Sequence, residues 1–218
     1  MWPVEKITGS VKYLRRKDLE ITLSVNVKGF NNPKVEYEQY QTPPRVAANL
    51  IHRAQQLGDI TGKKVIDLCA GTGILGIAAS ILDASVTTLE IDAGSCDILK
   101  QNIELLDLDV TLINEDIFKY EPLHRYDTCV INPPFGIQQK KYRDMDFIKK
   151  SANFANVIYS IHDGSETNQQ KLPQLFEKSG FDITEMYIDG FPLSNSYSWH
   201  KQKRKMYQVL IIRSVFAV

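Results

Sequence analysis

The sequence has few cysteines and histidines, and neither sign of charge is in excess. Its three cysteines, Cys69, Cys96 and Cys129, lie far apart without a Cys-x-x-Cys pair, and the four histidines are scattered. This spacing indicates neither a disulfide framework nor a metal site within the chain. The 26 basic and 26 acidic residues give a formal net charge of zero, so no global cationic field attracts nucleic acid. Any contact with RNA must therefore come from local patches or from another subunit.

The chain also lacks a signal peptide and a long apolar stretch. We therefore expect a soluble intracellular protein of the cytoplasm or the nucleus, without a membrane segment. A length of 218 residues is enough for one α/β domain with a sizeable core. No repeat or low-complexity segment divides it, so residues 1–218 are predicted to form a single domain.

The most informative motif is Asn-Pro-Pro-Phe at residues 132–135, which follows the apolar run 128–131. In an open α/β sheet, ligands bind at the carboxyl ends of the strands, where this motif is placed. The two prolines fix the backbone and remove two N–H donors, so the loop is stiff and its carbonyls stay free. Asn132 and the Pro133 carbonyl can accept hydrogen bonds from an amine, and Phe135 can stack on a flat base. A rigid turn after a strand is the alternative interpretation.

A glycine-rich segment upstream favours a ligand site. Residues 64–68 are typical of a buried strand and residues 74–82 of an apolar helix, with Gly71 and Gly73 between them. These glycines allow a tight turn and the close approach of a ligand to the helix N-terminus. Glu90 ends the next apolar run, where its carboxylate can bind the ribose hydroxyls of a nucleoside.

The spacing departs from the dinucleotide-binding pattern G-x-G-x-x-G. Cys69 stands where the first glycine belongs, and Gly76 is predicted to lie where helix and strand pack closely. A glycine-rich turn alone is a weak signal. The order of parts is specific, because Asp67 ends one strand, Glu90 ends the next, and Asn-Pro-Pro-Phe follows a later one.

The apolar pattern predicts that strands and helices alternate. Strands are predicted at 64–68, 86–90, 110–114, 127–132, 156–160, 182–189 and 207–215, and helices at 74–82, 94–106, 144–154 and 168–179. A further helix follows Thr42, which is predicted to cap it, with two prolines in its first turn. The pattern predicts an α/β fold with a mostly parallel seven-stranded sheet and helices on both faces, whose last two strands form an antiparallel pair at one edge.

These motifs resemble those of Rossmann-like, S-adenosylmethionine-dependent amino-methyltransferases. In that class a D-x-x-x-G-x-G loop holds the cofactor, and an N-P-P-[FY] loop holds the nitrogen to be methylated. A closer resemblance, over about residues 14–216, is to the methyltransferase-like protein five family of N6-adenine ribosomal RNA methyltransferases. The matching segments are 32–34, 38–43, 132–136, 144–147, 159–162 and 199–201. The resemblance implies the class I methyltransferase fold, with an N-terminal extension at about 1–42 that is helical in part and contributes to the cofactor site.

The same resemblance implies roles for individual residues. The catalytic loop is Asn132, Pro133, Pro134 and Phe135. Contacts with S-adenosylmethionine are implied for Gln39, Thr42, Asp67, Cys69, Gly71, Thr72, Gly73, Ile74, Glu90, Asp116, Ile117 and Asn132. Within this set, Asp116 is implied to accept a hydrogen bond from the adenine amine of the cofactor, and Glu90 is implied to bind the ribose of the cofactor. Relative to the familiar animal members, Cys69-Ala70 replaces Gly-Cys and Glu90 replaces Asp, and neither change removes a needed group; Gln41 replaces Pro.

Two partners are implied: small-subunit ribosomal RNA, and a small zinc-binding methyltransferase activator subunit that adds to one edge of the sheet. Two polar segments are candidate RNA contacts because they combine cations with aromatic rings. The candidate residues are Lys140 and Lys141 in the first segment, and Trp199, His200, Lys201, Lys203, Arg204 and Lys205 in the second. A solvated surface loop is the alternative for each segment.

The sequence therefore predicts an enzyme that methylates N6 of an adenosine in small-subunit, 18S-type ribosomal RNA. A protein glutamine N5-methyltransferase of release factors is one alternative, although it normally has Tyr at the position of Phe135 and an extra helical domain. A guanine N2 RNA methyltransferase is the second, and a cofactor-binding scaffold without turnover is the third. His162 is predicted to be a structural histidine and Cys129 a core residue.

Overall fold

The computed structural model describes residues 14–134, 144–192 and 206–216. The helices are α1 (Arg16–Asn26), α2 (Pro44–Gln56), α3 (Ile74–Ile81), α4 (Ala93–Leu105), α5 (Asp144–Ser151) and α6 (Glu166–Lys178), with a short 3-10 helix at Val35–Tyr37. The strands are β1 (Lys64–Leu68), β2 (Ser85–Glu90), β3 (Val110–Asn114), β4 (Tyr126–Ile131), β5 (Ala155–Asp163), β6 (Phe181–Pro192) and β7 (Met206–Phe216). Each predicted strand and helix is present, with ends that differ by a few residues.

The seven strands form one sheet in the order β3-β2-β1-β4-β5-β7-β6. The first five strands in this order are parallel, and β7 runs antiparallel to both β5 and β6. The predicted mostly parallel, Rossmann-like sheet with an antiparallel pair at one edge is therefore confirmed. Because β1 lies between β2 and β4, the carboxyl ends of these three strands are adjacent.

The sheet separates two apolar cores, because successive residues of a buried strand point to opposite faces. Val65 packs in the core that includes residues of α1, α2 and α3. Ile66 packs in the other core, with residues of α5 and α6. Helices therefore cover both faces, as predicted, and Asp67 lies on the face beneath α3.

Helix α1 contains a run of β-branched residues that disfavours helix in isolation. Leu19 and Leu23, four residues apart, are fully buried in the core that includes α2. Burial of this apolar pair outweighs the weak propensity of its neighbours, since propensity is a small term beside tertiary packing.

The start of α2 corrects the prediction that Thr42 caps it. The helix begins at Pro44, its N-cap is Pro43, and no side chain caps it by a hydrogen bond. Proline suits the first helical position because its fixed φ matches the helix and its missing N–H is not needed there. The Thr42 hydroxyl instead accepts a hydrogen bond from Asn132.

His162 and Cys129 are structural, as predicted. Both are fully buried; the His162 ring lies 2.9 Å from the Ser160 hydroxyl and packs edge-on against Phe176. In the described ranges, no helix has the length and hydropathy needed to cross a membrane. The same ranges contain no cluster of three or more metal-binding side chains.

Candidate active site

A cavity of about 390 Å³ opens at the carboxyl ends of β1, β2 and β4. Most predicted site residues line it, namely Gln39, Thr42, Asp67, Cys69, Gly71, Thr72, Ile74, Glu90, Asp116, Ile117, Asn132, Pro133 and Pro134. Gly73 is not among the residues that line the cavity; it is the N-cap of α3. Phe135 falls outside the described residues, as do Lys140, Lys141, Trp199, His200, Lys201, Lys203, Arg204 and Lys205. The RNA contacts assigned to those residues stay predictions.

The turn between β1 and α3 brings the backbone close to the cavity. Gly71 and Gly73 have φ angles of 55° and 85°, in the left-handed region that favours glycine. A Cβ on Gly71 would lie 2.9 Å from the Phe30 ring, and one on Gly73 would lie 2.0 Å from Leu99. Cys69 adopts a φ of 56° although it has a side chain. The predicted tight turn is confirmed, and two side chains that the sequence did not indicate enclose it.

Glu90 holds this turn against the end of β2. One carboxylate oxygen accepts the N–H of Gly71 at 2.7 Å and the other accepts the N–H of Asp92 at 2.9 Å. Burial raises the pKa of Glu90, and the two backbone hydrogen bonds lower it without cancelling that effect. Glu90 is therefore placed to stabilise the loop as well as to face a ligand.

Asp67 is almost completely buried beneath α3. Its carboxylate accepts the N–H of Gly76 at 2.7 Å. A Cβ on Gly76 would lie 3.0 Å from the same oxygen, which confirms the predicted close packing of helix and strand. Burial raises the pKa of Asp67 to about 7, with a smaller upward contribution from Glu90, while the hydrogen bond from Gly76 opposes them.

This raised pKa predicts how the stability of the protein depends on pH. An acid with a raised folded-state pKa contributes fully below its unfolded pKa of ~3.9, and that contribution is lost as the pH rises through the folded-state value. We expect the free energy of unfolding of the wild type to fall, relative to that of Asp67→Asn, between pH ~4 and ~7. Denaturant titrations of both proteins across this range measure the difference. Two curves that stay parallel would contradict the assigned burial cost.

The N-terminal segment, which runs between α1 and α2 and lines the cavity, is bound to the β2–α4 turn. Lys34 forms an ion pair with Asp92 at 2.5 Å, and the Gln39 amide donates to Asp92 at 3.0 Å and to Ser95 at 3.0 Å. The Gln39 side-chain oxygen also accepts the Lys34 N–H at 2.7 Å, so both ends of this amide are bound to protein. Gln39 therefore positions the segment, a role that the sequence did not indicate.

Asp92 is the centre of this network. It is the N-cap of α4 and accepts the N–H of Ser95 at 3.0 Å. Burial tends to raise the pKa of Asp92, but hydrogen bonds from Lys34, Ser95 and Gln39 outweigh it and lower the pKa to about 2. The sequence analysis missed this residue, although an aspartate two residues before the predicted helix 94–106 is a recognisable capping signal.

Two further contacts fasten the same segment to the glycine turn. Thr72 donates its hydroxyl to the Gln41 side-chain oxygen at 2.9 Å. The fully buried Asn102 amide donates to the carbonyls of Lys28 and Thr72, and its oxygen accepts the Lys28 N–H. No local pattern in the sequence marks Asn102, because its partners are distant in the chain.

Asn132 lies at the end of β4 and faces Thr42 across the cavity wall. Its amide nitrogen donates to the Thr42 hydroxyl at 3.0 Å. Its amide oxygen is buried and has no hydrogen-bond partner among the described residues. A buried acceptor without a partner costs about 1–3 kcal/mol, so this atom is suited to a ligand that brings a donor. Nearby, Asp116 accepts the N–H of Phe118 at 3.0 Å and lines the cavity.

Comparisons with known proteins agree with this geometry. The family described as methyltransferase small domain matches residues 41–156. The chain is 35% identical over 206 residues to the rRNA N(6)-adenosine-methyltransferase Mettl5 of Drosophila melanogaster, covering 90% of this chain and 94% of that protein. It is 32% identical over 207 residues to the rRNA N(6)-adenosine-methyltransferase METTL5 of Danio rerio, covering 92% and 98%.

The fold matches a crystal structure as well. A candidate RNA methyltransferase from Pyrococcus horikoshii superposes with a TM-score of 0.84 and is 34% identical in sequence. The match covers 94% of this chain and 98% of that one, so the similarity is not confined to the glycine turn.

Proposed function

The chain belongs to the methyltransferase small domain family and, within it, to the group of the METTL5 proteins, and we propose that it methylates N6 of an adenosine in ribosomal RNA with S-adenosylmethionine as the methyl donor. The proposed substrate is small-subunit, 18S-type ribosomal RNA. The relatives from fly and zebrafish are both named rRNA N(6)-adenosine-methyltransferase, and each aligns with this chain over nearly its full length. This similarity supports the reaction class.

One observation carries the proposal: the buried amide oxygen of Asn132, which lacks a partner among the described residues. Asn132 lines the cavity directly after β4, beside the Pro133 backbone. An exocyclic amine has two hydrogens to donate, and the Asn132 oxygen together with the Pro133 carbonyl can accept both. Proline supplies a carbonyl without an N–H that would repel the amine.

The cavity also fits the proposed cofactor. Gly71 and Gly73 leave out the Cβ atoms that would collide with Phe30 and Leu99, so the turn can pack tightly while Gly71 lines the cavity. The Glu90 carboxylate and the Asp116 carboxylate both line the cavity, where they can accept hydrogen bonds from ribose hydroxyls and an adenine amine. When bound, S-adenosylmethionine supplies an electrophilic methyl group on a sulfonium.

The side chains of the proposed site mainly hold and orient the substrate. The lone pair of an adenine N6 is delocalised into the ring, so the amine is a weak nucleophile. As the nitrogen becomes tetrahedral and positive, its N–H groups become stronger donors to the Asn132 oxygen and the Pro133 carbonyl. These two acceptors therefore stabilise the transition state more than the ground state. No general base is needed, since the amine proton can leave after transfer.

The target base must be unpaired or rotated out of its helix to reach this position. Phe135 is predicted to stack on the target base and would thereby hold the base in a fixed plane. Local cations in the segments around Lys140 and Lys203 are proposed to supply phosphate contacts, because the net charge of zero provides no overall attraction.

Nucleoside mass spectrometry tests the proposed function directly. Small-subunit ribosomal RNA from cells with and without this protein is digested and its modified nucleosides are quantified. We expect less N6-methyladenosine in the RNA from cells without the protein, and purified protein to restore it in the presence of S-adenosylmethionine. A change confined to N2-methylguanosine, or to methylglutamine in a release factor, would assign one of the rival activities instead. No change in any of the three would support a scaffold without turnover.

We propose that a small zinc-binding activator subunit pairs with one edge of the sheet. The two outer strands are β3 and β6, and each has one edge that pairs with no other strand among the described residues. On β6, Met186 and Ile188 are 44% and 45% exposed, which leaves apolar surface for a partner. Coexpression with the activator should raise soluble yield and thermal stability. A monodisperse lone chain with full activity would exclude an obligate partner.

A further inference from the structure

Asn132 is held by a contact that its own motif does not contain. Its amide nitrogen donates to the Thr42 hydroxyl at 3.0 Å, across 90 residues of sequence. Thr42 is 5% exposed, and its amide partner is half-buried. This hydrogen bond therefore joins the N-terminal segment to the end of β4.

The position of Thr42 is itself constrained on both sides. It is followed by Pro43 and Pro44, whose rings fix the backbone at the start of α2. It is preceded by Gln41, whose side chain accepts the hydroxyl of Thr72 in the glycine turn. The hydroxyl of Thr42 is thus presented from a rigid support rather than from a free loop.

An amide side chain needs such a support because its two ends are similar in size and opposite in function. Rotation by about 180° exchanges an acceptor oxygen for a donor nitrogen. With the nitrogen turned toward the substrate, two donor groups would face each other and the amine would be repelled. Binding the nitrogen to Thr42 leaves the oxygen as the free end, and that oxygen is the atom without a partner among the described residues.

We propose that Thr42 is a positioning residue, whose hydroxyl holds the Asn132 amide with its oxygen available to the substrate amine. This inference deepens the proposed function and rests on it for the identity of the amine. The resemblance assigns Thr42 only a contact with the cofactor, so orientation of the catalytic amide is an additional role. The orientation itself can be measured without any substrate.

The first test is the exchange of the Asn132 side-chain amide protons, observed by NMR in the full chain. Absence of the signal in Asn132→Ala assigns it. Wild type and Thr42→Ser, which keeps the hydroxyl, should both show slowed exchange. Thr42→Val, which has nearly the same shape but no hydroxyl, should speed exchange by about tenfold or more. Equal exchange in all three proteins would overturn the inference, whether or not the protein methylates RNA.

The second test separates positioning from cofactor binding. For Thr42→Val we expect kcat to fall by roughly ten- to a hundredfold, the size of effect that follows when a reacting group is misplaced. The Kd for S-adenosylmethionine, measured by calorimetry, should change far less, and Thr42→Ser should restore most of kcat. A raised Kd with unchanged kcat would assign Thr42 to the cofactor alone and contradict the inference.

A double substitution shows whether Thr42 acts through Asn132. In the Asn132→Ala background there is no amide to orient, so adding Thr42→Val should cause no further loss of kcat. Additive losses would mean that Thr42 acts independently of Asn132. Matching thermal unfolding of Thr42→Val and Thr42→Ser ensures that the comparison concerns the site and not the fold. If wild type itself transfers no methyl group to any substrate, the proposed function fails, and the exchange experiment still decides the orientation.

Discussion

Replacement of Asn132 by alanine is expected to lower kcat for methyl transfer by about two to three orders of magnitude, the cost typical of removing one group that stabilises developing charge. The substitution removes the amide oxygen that lacks a partner among the described residues and leaves the glycine turn and Glu90 untouched. The Kd for S-adenosylmethionine should change far less than kcat, because the other implied cofactor contacts remain in place. Single-turnover kinetics with labelled cofactor, together with calorimetry, measure the two quantities separately.

Asn156→Ala is the matched control for this experiment. Asn156 also belongs to the parallel sheet, but it is exposed and accepts a hydrogen bond from Arg125 at the surface. Its replacement removes an amide group of the same kind from a position away from the cavity, so kcat should stay close to that of wild type. Unchanged turnover in Asn132→Ala would refute the assigned catalytic role. An equal loss in both variants would point to a general effect on the sheet.

Substitution of Gly73 by alanine is expected to have the largest effect on folding. Gly73 has a φ of 85°, and a Cβ there would lie 2.0 Å from Leu99, which is completely buried. Left-handed backbone with a side chain costs about 1–2 kcal/mol, and overpacking of a core adds about 1–3 kcal/mol. We expect the free energy of unfolding to fall by about 2–5 kcal/mol and cofactor affinity to fall with it. Denaturant titration and calorimetry check the two effects.

Gly58→Ala isolates the packing contribution. Gly58 has nearly the same φ, 80°, but a Cβ there would meet nothing within 4 Å. This variant should lose only the backbone cost, about 1–2 kcal/mol, and retain cofactor affinity. If the two variants are destabilised equally, the contact with Leu99 does not limit the turn.

Local sequence patterns determined most of the fold. Short segments rich in apolar and β-branched residues mark the buried strands β1, β2 and β4, and the glycines between β1 and α3 mark a turn that only positive φ angles allow. The two prolines after Asn132 likewise act within their own loop. Because each of these signals depends on neighbouring residues alone, the order of the parts and their placement at the carboxyl ends of the strands were predictable.

Thr42 shows where such local reasoning fails. A threonine before a predicted helix suggests an N-cap, but prolines at the next two positions already define the helix start. The hydroxyl is then available to a residue 90 positions away. Asp92 shows a second limit of local reasoning. Its capping role depends on neighbouring residues, but its role in binding the N-terminal segment depends on Lys34 and Gln39, which lie 58 and 53 residues earlier.

The sequence by itself therefore determined the sheet, the glycine turn and the identity of the amide at the end of β4. Only the tertiary structure decided how the N-terminal segment covers the cavity, through Asp92, Asn102 and Thr42. Hydrogen bonds between side chains tens of residues apart depend on how helices and loops pack over the sheet. No periodicity or turn preference encodes that packing, because it arises only when the two cores are assembled.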